Sequence, residues 1–367
     1  MKDPRIERLA KILVHYCVEV QPGDRVLLNG SIPAMPLVSE TYRQILRAGG
    51  HPLIQMQDDV FSEIFFQESS DEQLQYIPEP MRQIVETYEC IIGVRGTNNT
   101  RALSAIDPSR QQMAQAAQSE LMGIYMERAA AGELRWVGTL FPTPAHAQEA
   151  DMSLSDFEDF VFKACHADKE DPVAQWLDVR ANQQKLVDWL VDKEQIIVKG
   201  PNVDLKLSIA GRTFVNSDGK RNMPSGEIFT GPVEESANGW VRFTYPAIVG
   251  GREVSGVELR FEHGKVVEAT AQKNEDFLLK TLDTDEGARF LGEFAVGTNN
   301  AIDRFTKSIL YDEKIGGTIH MALGRGYPET GSKNVSAIHW DMICDMRDGG
   351  KIWVDDQLFY DSGEFVI

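Results

Sequence analysis

Asp24-Arg25-Val26-Leu27-Leu28-Asn29-Gly30 is a short apolar run between Pro22-Gly23 and Gly30-Ser31, and it reads as a buried strand. A helical pattern follows from about Ala34 to Arg47 and stops at Gly49-Gly50, a C-terminal glycine signal. Pro52-Leu53-Ile54-Gln55-Met56 is then the next strand. The cycle repeats with a strand over Tyr88 to Val94, a long helix over Ser109 to Ala131 and a strand over Leu134 to Leu140. Strands alternating with helices indicate a parallel α/β sheet.

Ser153 to Asp192 reads as helical throughout, with Ser155 and Glu158 fitting a capping box. From about Gln195 the pattern changes to short alternating runs: Ile196-Ile197-Val198, Leu205-Lys206-Leu207, Trp240-Val241-Arg242-Phe243 and Val257-Glu258-Leu259-Arg260-Phe261. Turns at Ser217-Asp218-Gly219 and Gly250-Gly251 lie between them, and a helical insert is expected around Glu286 to Ile309. The fold class expected is an α/β N-terminal domain with a parallel sheet over 1–190, followed by a β-rich α+β domain over 191–367. No internal repeat or low-complexity tract interrupts this order.

Composition narrows the function. With 42% hydrophobic and 25% charged residues over 367 positions, the chain is globular, not disordered. Its net charge of −19 argues against a nucleic-acid backbone or an anionic membrane as partner. No run approaches the ~18 apolar residues of a membrane span, and Met1-Lys2-Asp3-Pro4-Arg5-Ile6-Glu7-Arg8 has no leader-like apolar segment. Cys17, Cys90, Cys165 and Cys344 are far apart, which suits buried, reduced thiols in a cytoplasmic protein. Leu28-Asn29-Gly30-Ser31-Ile32-Pro33 lacks the dinucleotide glycines, and Arg95-Gly96-Thr97-Asn98-Asn99 has no P-loop lysine. Neither a Gly-x-Ser-x-Gly elbow nor HExxH occurs.

The residues that suggest chemistry lie in the C-terminal half. In Ser336-Ala337-Ile338-His339-Trp340-Asp341, a strand places His339 and Asp341 on one face and turns Trp340 away. An imidazole beside a carboxylate suits a borderline metal, or a histidine base oriented by its neighbour, or a plain hydrogen-bonded pair. His320 lies in a second apolar run, Gly316-Gly317-Thr318-Ile319-His320-Met321-Ala322-Leu323-Gly324. Glu227, in Asn222-Met223-Pro224-Ser225-Gly226-Glu227, and Glu293, in Phe290-Leu291-Gly292-Glu293-Phe294, are carboxylates set among apolar residues, where burial is costly without a partner. No spacing rule joins these distant segments. The remaining histidines look less promising: His146 reads as a loop residue, and His15, His51, His166 and His263 as exposed. Cys90 and Cys344 have no base beside them in sequence.

Taken together in order, these segments resemble the metallo-aminopeptidases of the aminopeptidase T, aminopeptidase S and PepS family, over essentially the whole chain. Asp312-Glu313-Lys314-Ile315-Gly316-Gly317-Thr318-Ile319-His320, Gly326-Tyr327, Leu140-Phe141-Pro142-Thr143-Pro144-Ala145 and Ala150-Asp151-Met152-Ser153 extend the likeness. Asn202-Val203-Asp204-Leu205 and Gly331-Ser332-Lys333-Asn334 depart from it, away from any implied ligand. The resemblance implies two divalent ions held by Glu227, Glu293, His320, His339 and Asp341, with Glu293 bridging. It also implies Tyr327 as a weak ligand or an oxyanion donor, and a homodimer with the catalytic domain at 191–367.

A mixed oxygen–nitrogen donor set does not by itself fix the metal; zinc or cobalt is the expectation, and magnesium and manganese are compatible with the same donors. The function expected is removal of N-terminal residues from peptides by water activated between ions ~3.5–4 Å apart. Glu329 and Glu234 lie near the motifs without evidence that either is a base. A dinuclear phosphoesterase or amidohydrolase, or an inactive peptide-binding relative, would share the same ligand types.

Overall fold

The computed structural model describes residues 3–249 and 252–367, so the Gly250-Gly251 turn lies outside the described residues. The chain divides into two units: residues up to 175 together with 219–224, and residues 176–218 together with 225–367.

In the first unit, strands β1 (Arg25–Ser31), β2 (His51–Gln57), β3 (Cys90–Arg95) and β4 (Arg135–Leu140) form a parallel sheet. Val26, Leu27 and Leu28 are buried because β1 lies inside the sheet, whereas β2 is its edge and is largely exposed. Helix Met35–Arg47 makes the crossover from β1 to β2, and the chain leaves it through Gly49 at φ 83°. The parallel α/β reading therefore holds.

Several helix expectations need correction. The long helix over Ser109 to Ala131 is two helices, Pro108–Ala117 and Ser119–Ala130, meeting at Gln118. The helix expected over Ser153 to Asp192 is also two, Leu154–Ala164 and Pro172–Leu190. His166 has a positive φ between them, and Pro172 pushes Asp171 away from helical geometry. Its cap is Ser153, which accepts from the Asp156 amide, not Ser155. Helices Asp59–Glu68 and Glu79–Thr87 were missed, and the first exposes Val60, Phe61, Ile64 and Phe65.

The second unit is strand-rich. Strands β5 (Gln195–Gly200), β6 (Val203–Ser208) and β7 (Val215–Ser217) come first; β8 (Asn222–Met223) pairs parallel with β4 in the first unit's sheet. There follow β9 (Glu227–Thr230), β10 (Asn238–Arg242), β11 (Ala247–Val249), β12 (Arg252–Val254), β13 (Glu258–Glu262), β14 (Lys265–Thr270) and β15 (Leu291–Gly297). The last are β16 (Thr318–Gly324), β17 (His339–Asp345), β18 (Lys351–Val354), β19 (Gln357–Asp361) and β20 (Glu364–Phe365). One sheet has eight strands, in the order β14-β13-β10-β6-β5-β18-β19-β20. A five-stranded antiparallel sheet, β17-β16-β15-β9-β7, carries the candidate site.

The helical insert expected over Glu286 to Ile309 is not found. The segment is a single 3₁₀ turn, Glu286–Arg289, then β15 and loop, while the helix precedes it at Glu275–Leu282. Leu291-Gly292-Glu293-Phe294-Ala295-Val296-Gly297 is wholly buried, with glycines at positions where a helix would be weakened. The four cysteines are free and buried. Among the described residues no helix is long and apolar enough to cross a membrane.

Candidate metal centre

Alternation along β9, β15, β16 and β17 sorts their side chains onto two faces. Ile228, Phe294, Val296, Ile319, Met321, Leu323, Trp340, Met342 and Cys344 all enter one hydrophobic core. The alternate positions include Glu227, Glu293, His320, His339 and Asp341. Across the strands each of these faces a very small residue. Asp341 and Glu293 flank Ala322, His339 lies opposite Gly324, His320 opposite Ala295 and Glu227 opposite Gly297. Small residues in those places leave room for long polar side chains to lean together.

Local backbone features aim these side chains. A register shift between Leu291 and Glu293 resets the side chains that follow it on β15. Gly226, at φ 117°, turns the chain into Glu227, and a Cβ there would lie 2.7 Å from that of Asn299. The buried Gln183 donates to the Glu227 carbonyl at 3.1 Å and accepts from Thr298 Oγ1 at 2.7 Å, which fixes the start of β9.

The polar groups converge on Glu293. Its Oε1 lies 3.4 Å from His320 Nε2, and its Oε2 lies 3.3 Å from His339 Nε2. His320 Nε2 is also 3.5 Å from Glu227 Oε2, and His339 Nε2 is 3.4 Å from Asp341 Oδ1. Three triads result, Glu227–Glu293–His320, Glu293–His339–Asp341 and Glu313–His320–Asp341, each with candidate ligand atoms within 4.8 Å of one another, and the first two share Glu293. His339 Nδ1 donates to the Arg325 carbonyl at 2.7 Å, which leaves Nε2 directed at the carboxylates. Glu227, Glu293 and His320 are buried, whereas His339 and Asp341 are partly open. Tyr327 stands beside this open side, its ring 5.1 Å from that of His339.

The carboxylates dominate the electrostatics. Burial opposes charge on His320, but the Glu293 hydrogen bond and the Glu227 charge outweigh it and push the imidazole up to about 9. Burial is likewise outweighed at His339, which Asp341 and Glu293 push up to about 11. The same contacts hold Glu293 and Asp341 below their ordinary values, despite burial acting the other way. The Tyr327 phenol is pushed well up, by burial first and then by the carboxylates, so it stays a neutral O–H donor. This is a pocket that attracts cations.

All six residues singled out in sequence are thus brought together. Two others were missed as site residues although they lie in a quoted motif: Glu313, whose carboxylate groups with His320 and Asp341, and Lys314, fully buried against Glu227. The weaker candidates fall away. Burial pushes the Cys90 and Cys344 thiols up to about 12. His146 sits in helix Pro144–Glu149, its Nδ1 2.9 Å from Thr143 Oγ1, and burial pushes it down to about 4. His15, His51 and His263 are exposed as expected, but His166 is half-buried.

The thermophilic metalloprotease (M29) family matches residues 2–365. The chain belongs to that family. Among its M29-like relatives, aminopeptidase 2 of Geobacillus stearothermophilus is 27% identical, with 89% of this chain and 84% of that protein covered. Aminopeptidase T of Thermus thermophilus is 28% identical, covering 88% and 85%. The solved structure of wild-type AmpT from Thermus thermophilus superposes with a TM-score of 0.86 over 99% of both chains at 24% identity, so the two share a fold.

Proposed function

We propose that this M29 chain is a dinuclear metallo-aminopeptidase that hydrolyses the first peptide bond of peptides with a free N-terminus. The observation that carries the reading is the pair of triads sharing Glu293, with each of its carboxylate oxygens facing a different histidine. The residues fit divalent ions. Glu227 Oε2 and His320 Nδ1 are buried with no hydrogen-bond partner, and an unpaired buried carboxylate oxygen is costly unless a cation meets it. In this reading Glu227 and His320 would hold one ion, His339 and Asp341 the other, and Glu293 would be shared by both. The carboxylate–imidazole set suits zinc or cobalt, with manganese or magnesium as alternatives.

Such ions, when bound, would supply activation of a water and polarisation of the scissile carbonyl. The protein's own groups do the rest. The negative rim formed with Asp341 attracts the substrate's α-ammonium, which favours a chain end over an internal bond. Tyr327, a neutral donor on the open side, hydrogen-bonds the oxygen on which negative charge develops; one such donor is worth ~2.7–4 kcal/mol. Residues 191–367 form the catalytic domain and 1–190 an accompanying α/β domain. The expected assembly is a homodimer in the cytoplasm, a setting consistent with four buried free thiols.

The test is release of the N-terminal residue from a Leu-initiated tripeptide by metal-loaded protein, beside its N-acetylated twin. Cleavage of the free peptide alone supports an aminopeptidase. Cleavage of both makes it a broader amidase, and cleavage of neither by protein that holds its metals overturns the peptidase reading.

A further inference from the structure

Glu227 stands on β9, Glu293 on β15, His320 on β16, and His339 and Asp341 on β17. Tyr327 instead lies in the loop 325–338 between β16 and β17, at the entry to the 3₁₀ turn Pro328–Thr330. Strand pairing sets the first five side chains. A group on a loop is only as precise as the contacts that tie the loop down. Ring contacts with Phe229 at 5.5 Å and His339 at 5.1 Å limit the tilt of the Tyr327 ring, but they do not fix its backbone.

The loop is tied down in two places. At its base, Asn334 Nδ2 donates to the Gly324 carbonyl at 2.6 Å and to the Gly287 carbonyl at 2.9 Å. Farther out, it meets a carboxylate from a distant segment. Glu234 Oε1 accepts from the Lys333 amide at 2.6 Å and from the Ser332 hydroxyl at 3.4 Å, while Oε2 accepts from Arg212 at 2.6 Å. Glu234 is itself anchored, because the Val233 amide donates to the Ser208 carbonyl of β6 at 2.9 Å. Burial opposes its charge, but the amides and Arg212 outweigh it and hold the carboxyl below its ordinary value. The loop is therefore held by a charged acceptor, whose hydrogen bonds are the stronger kind.

From this clamp a chain of contacts reaches Tyr327. The Arg212 side chain is only 7% exposed, and the next residue, Thr213, donates its amide to the Thr330 carbonyl at 3.0 Å. Thr330 in turn donates its amide at 3.0 Å and its hydroxyl at 2.6 Å to the Tyr327 carbonyl. We infer that Glu234, paired with Arg212, is the positioning residue of Tyr327. It fixes the loop so that the phenol O–H meets the oxygen on which negative charge develops. The inference rests on the aminopeptidase reading and on the donor role given there to Tyr327. Glu234 acts through the loop and not on the reacting atoms, so its loss should be felt in kcat and not in substrate binding.

The experiment compares wild type, Glu234→Ala, Tyr327→Phe and the variant carrying both changes, all metal-loaded, by metal content from mass spectrometry and by kcat and KM on the Leu-initiated tripeptide. Glu234→Ala should keep wild-type metal content and a KM within about twofold, with kcat lower by ~10–100-fold, because a small misplacement of a catalytic group costs up to ~10²-fold. In the double variant kcat should lie within about threefold of Tyr327→Phe alone, because residues that act as a unit do not add. Losses that multiply overturn the inference, since Glu234 would then act other than through Tyr327. A kcat for Glu234→Ala within about threefold of wild type overturns it too, as does a loss of metal, which would mean that the clamp holds the metal centre itself.

If Glu234→Ala does not fold because Arg212 is left unpaired, Arg212→Met is added so that both charges leave together. The same comparison with and without Tyr327→Phe then decides. A wild-type protein that holds its metals and cuts no peptide removes the aminopeptidase reading, and this inference with it. A wild type that cuts while Glu234→Ala cuts equally well removes only the positioning of Tyr327.

Discussion

The two faces of the sheet β17-β16-β15-β9 are made from the same strands and are both largely buried, yet they hold opposite chemistry. On one face Ile319, Met321, Trp340 and Met342 fill a hydrophobic core. On the other, Glu227, Glu293, His320, His339 and Asp341 meet across Ala322, Ala295, Gly297 and Gly324. The core face gains from volume, because close packing and burial stabilise it. The polar face needs space and charge compensation, because buried carboxylates are costly unless cationic groups face them. A change of one or two methyl groups should therefore matter for different reasons on the two sides.

The largest effect short of removing a ligand is expected at the rim of the polar face. Tyr327→Phe should keep its metal and fold while kcat falls ~10²–10³-fold, the cost of one oxyanion donor. Steady-state kinetics beside metal analysis checks this, and an unchanged kcat would take Tyr327 out of the reaction. Next, Ala322→Val adds bulk between Glu293 and Asp341. It should weaken metal binding by ~1–3 kcal/mol through overpacking, read as a raised Kd in competition with a chelating dye. Wild-type affinity there would mean that the small residues are not spacers.

Ile319→Val is the matching change on the core face. Losing one buried methylene should cost ~0.5–1.5 kcal/mol in denaturant unfolding, with metal content and kcat intact. Reduced metal content in this variant would erase the contrast between the faces.

The smallest effect belongs to a pair outside this sheet. The Arg25 guanidinium, 2.5 Å from Glu89, outweighs burial and holds that carboxyl down to about 2, against an ordinary 4.5. A depressed folded value means the pair stabilises above about pH 4.5 and is lost as the pH falls toward about 2. Glu89→Gln should cost ~0.2–1 kcal/mol at pH 7, because the pair is partly solvated, and the difference from wild type should vanish across that acid range. A difference that persists unchanged at pH 2 would contradict the ion-pair account.

Much of this contrast was legible in the sequence, and its limits have physical causes. Period-two alternation sufficed to put His339 and Asp341 together and to turn Trp340 away, because those residues share a strand. It could not join Glu227 to Glu293 and His320, whose approach depends on strands β9, β15 and β16 pairing in one register. Glu293 was expected near the start of a helical insert, because a short apolar run is ambiguous between helix and strand; its buried neighbours on both sides and the bulge before it come from tertiary pairing. The parallel sheet of the first unit was legible from strand–helix alternation, although its long helices hid breaks at Gln118 and around His166. Glu313 and Lys314 were overlooked as chemistry because an Asp-Glu-Lys run ordinarily reads as solvated surface. Only the folded chain shows Lys314 sealed beneath the site.

The central claim is that one carboxylate, Glu293, joins two metal positions. Its most direct test is the number of zinc or cobalt ions retained per chain after dialysis, in wild type, His339→Ala and Glu293→Ala, with folding checked by circular dichroism. The account predicts two ions in wild type, one in His339→Ala and fewer than one in Glu293→Ala. A wild type that holds a single ion, or a folded Glu293→Ala variant that keeps two, would contradict it.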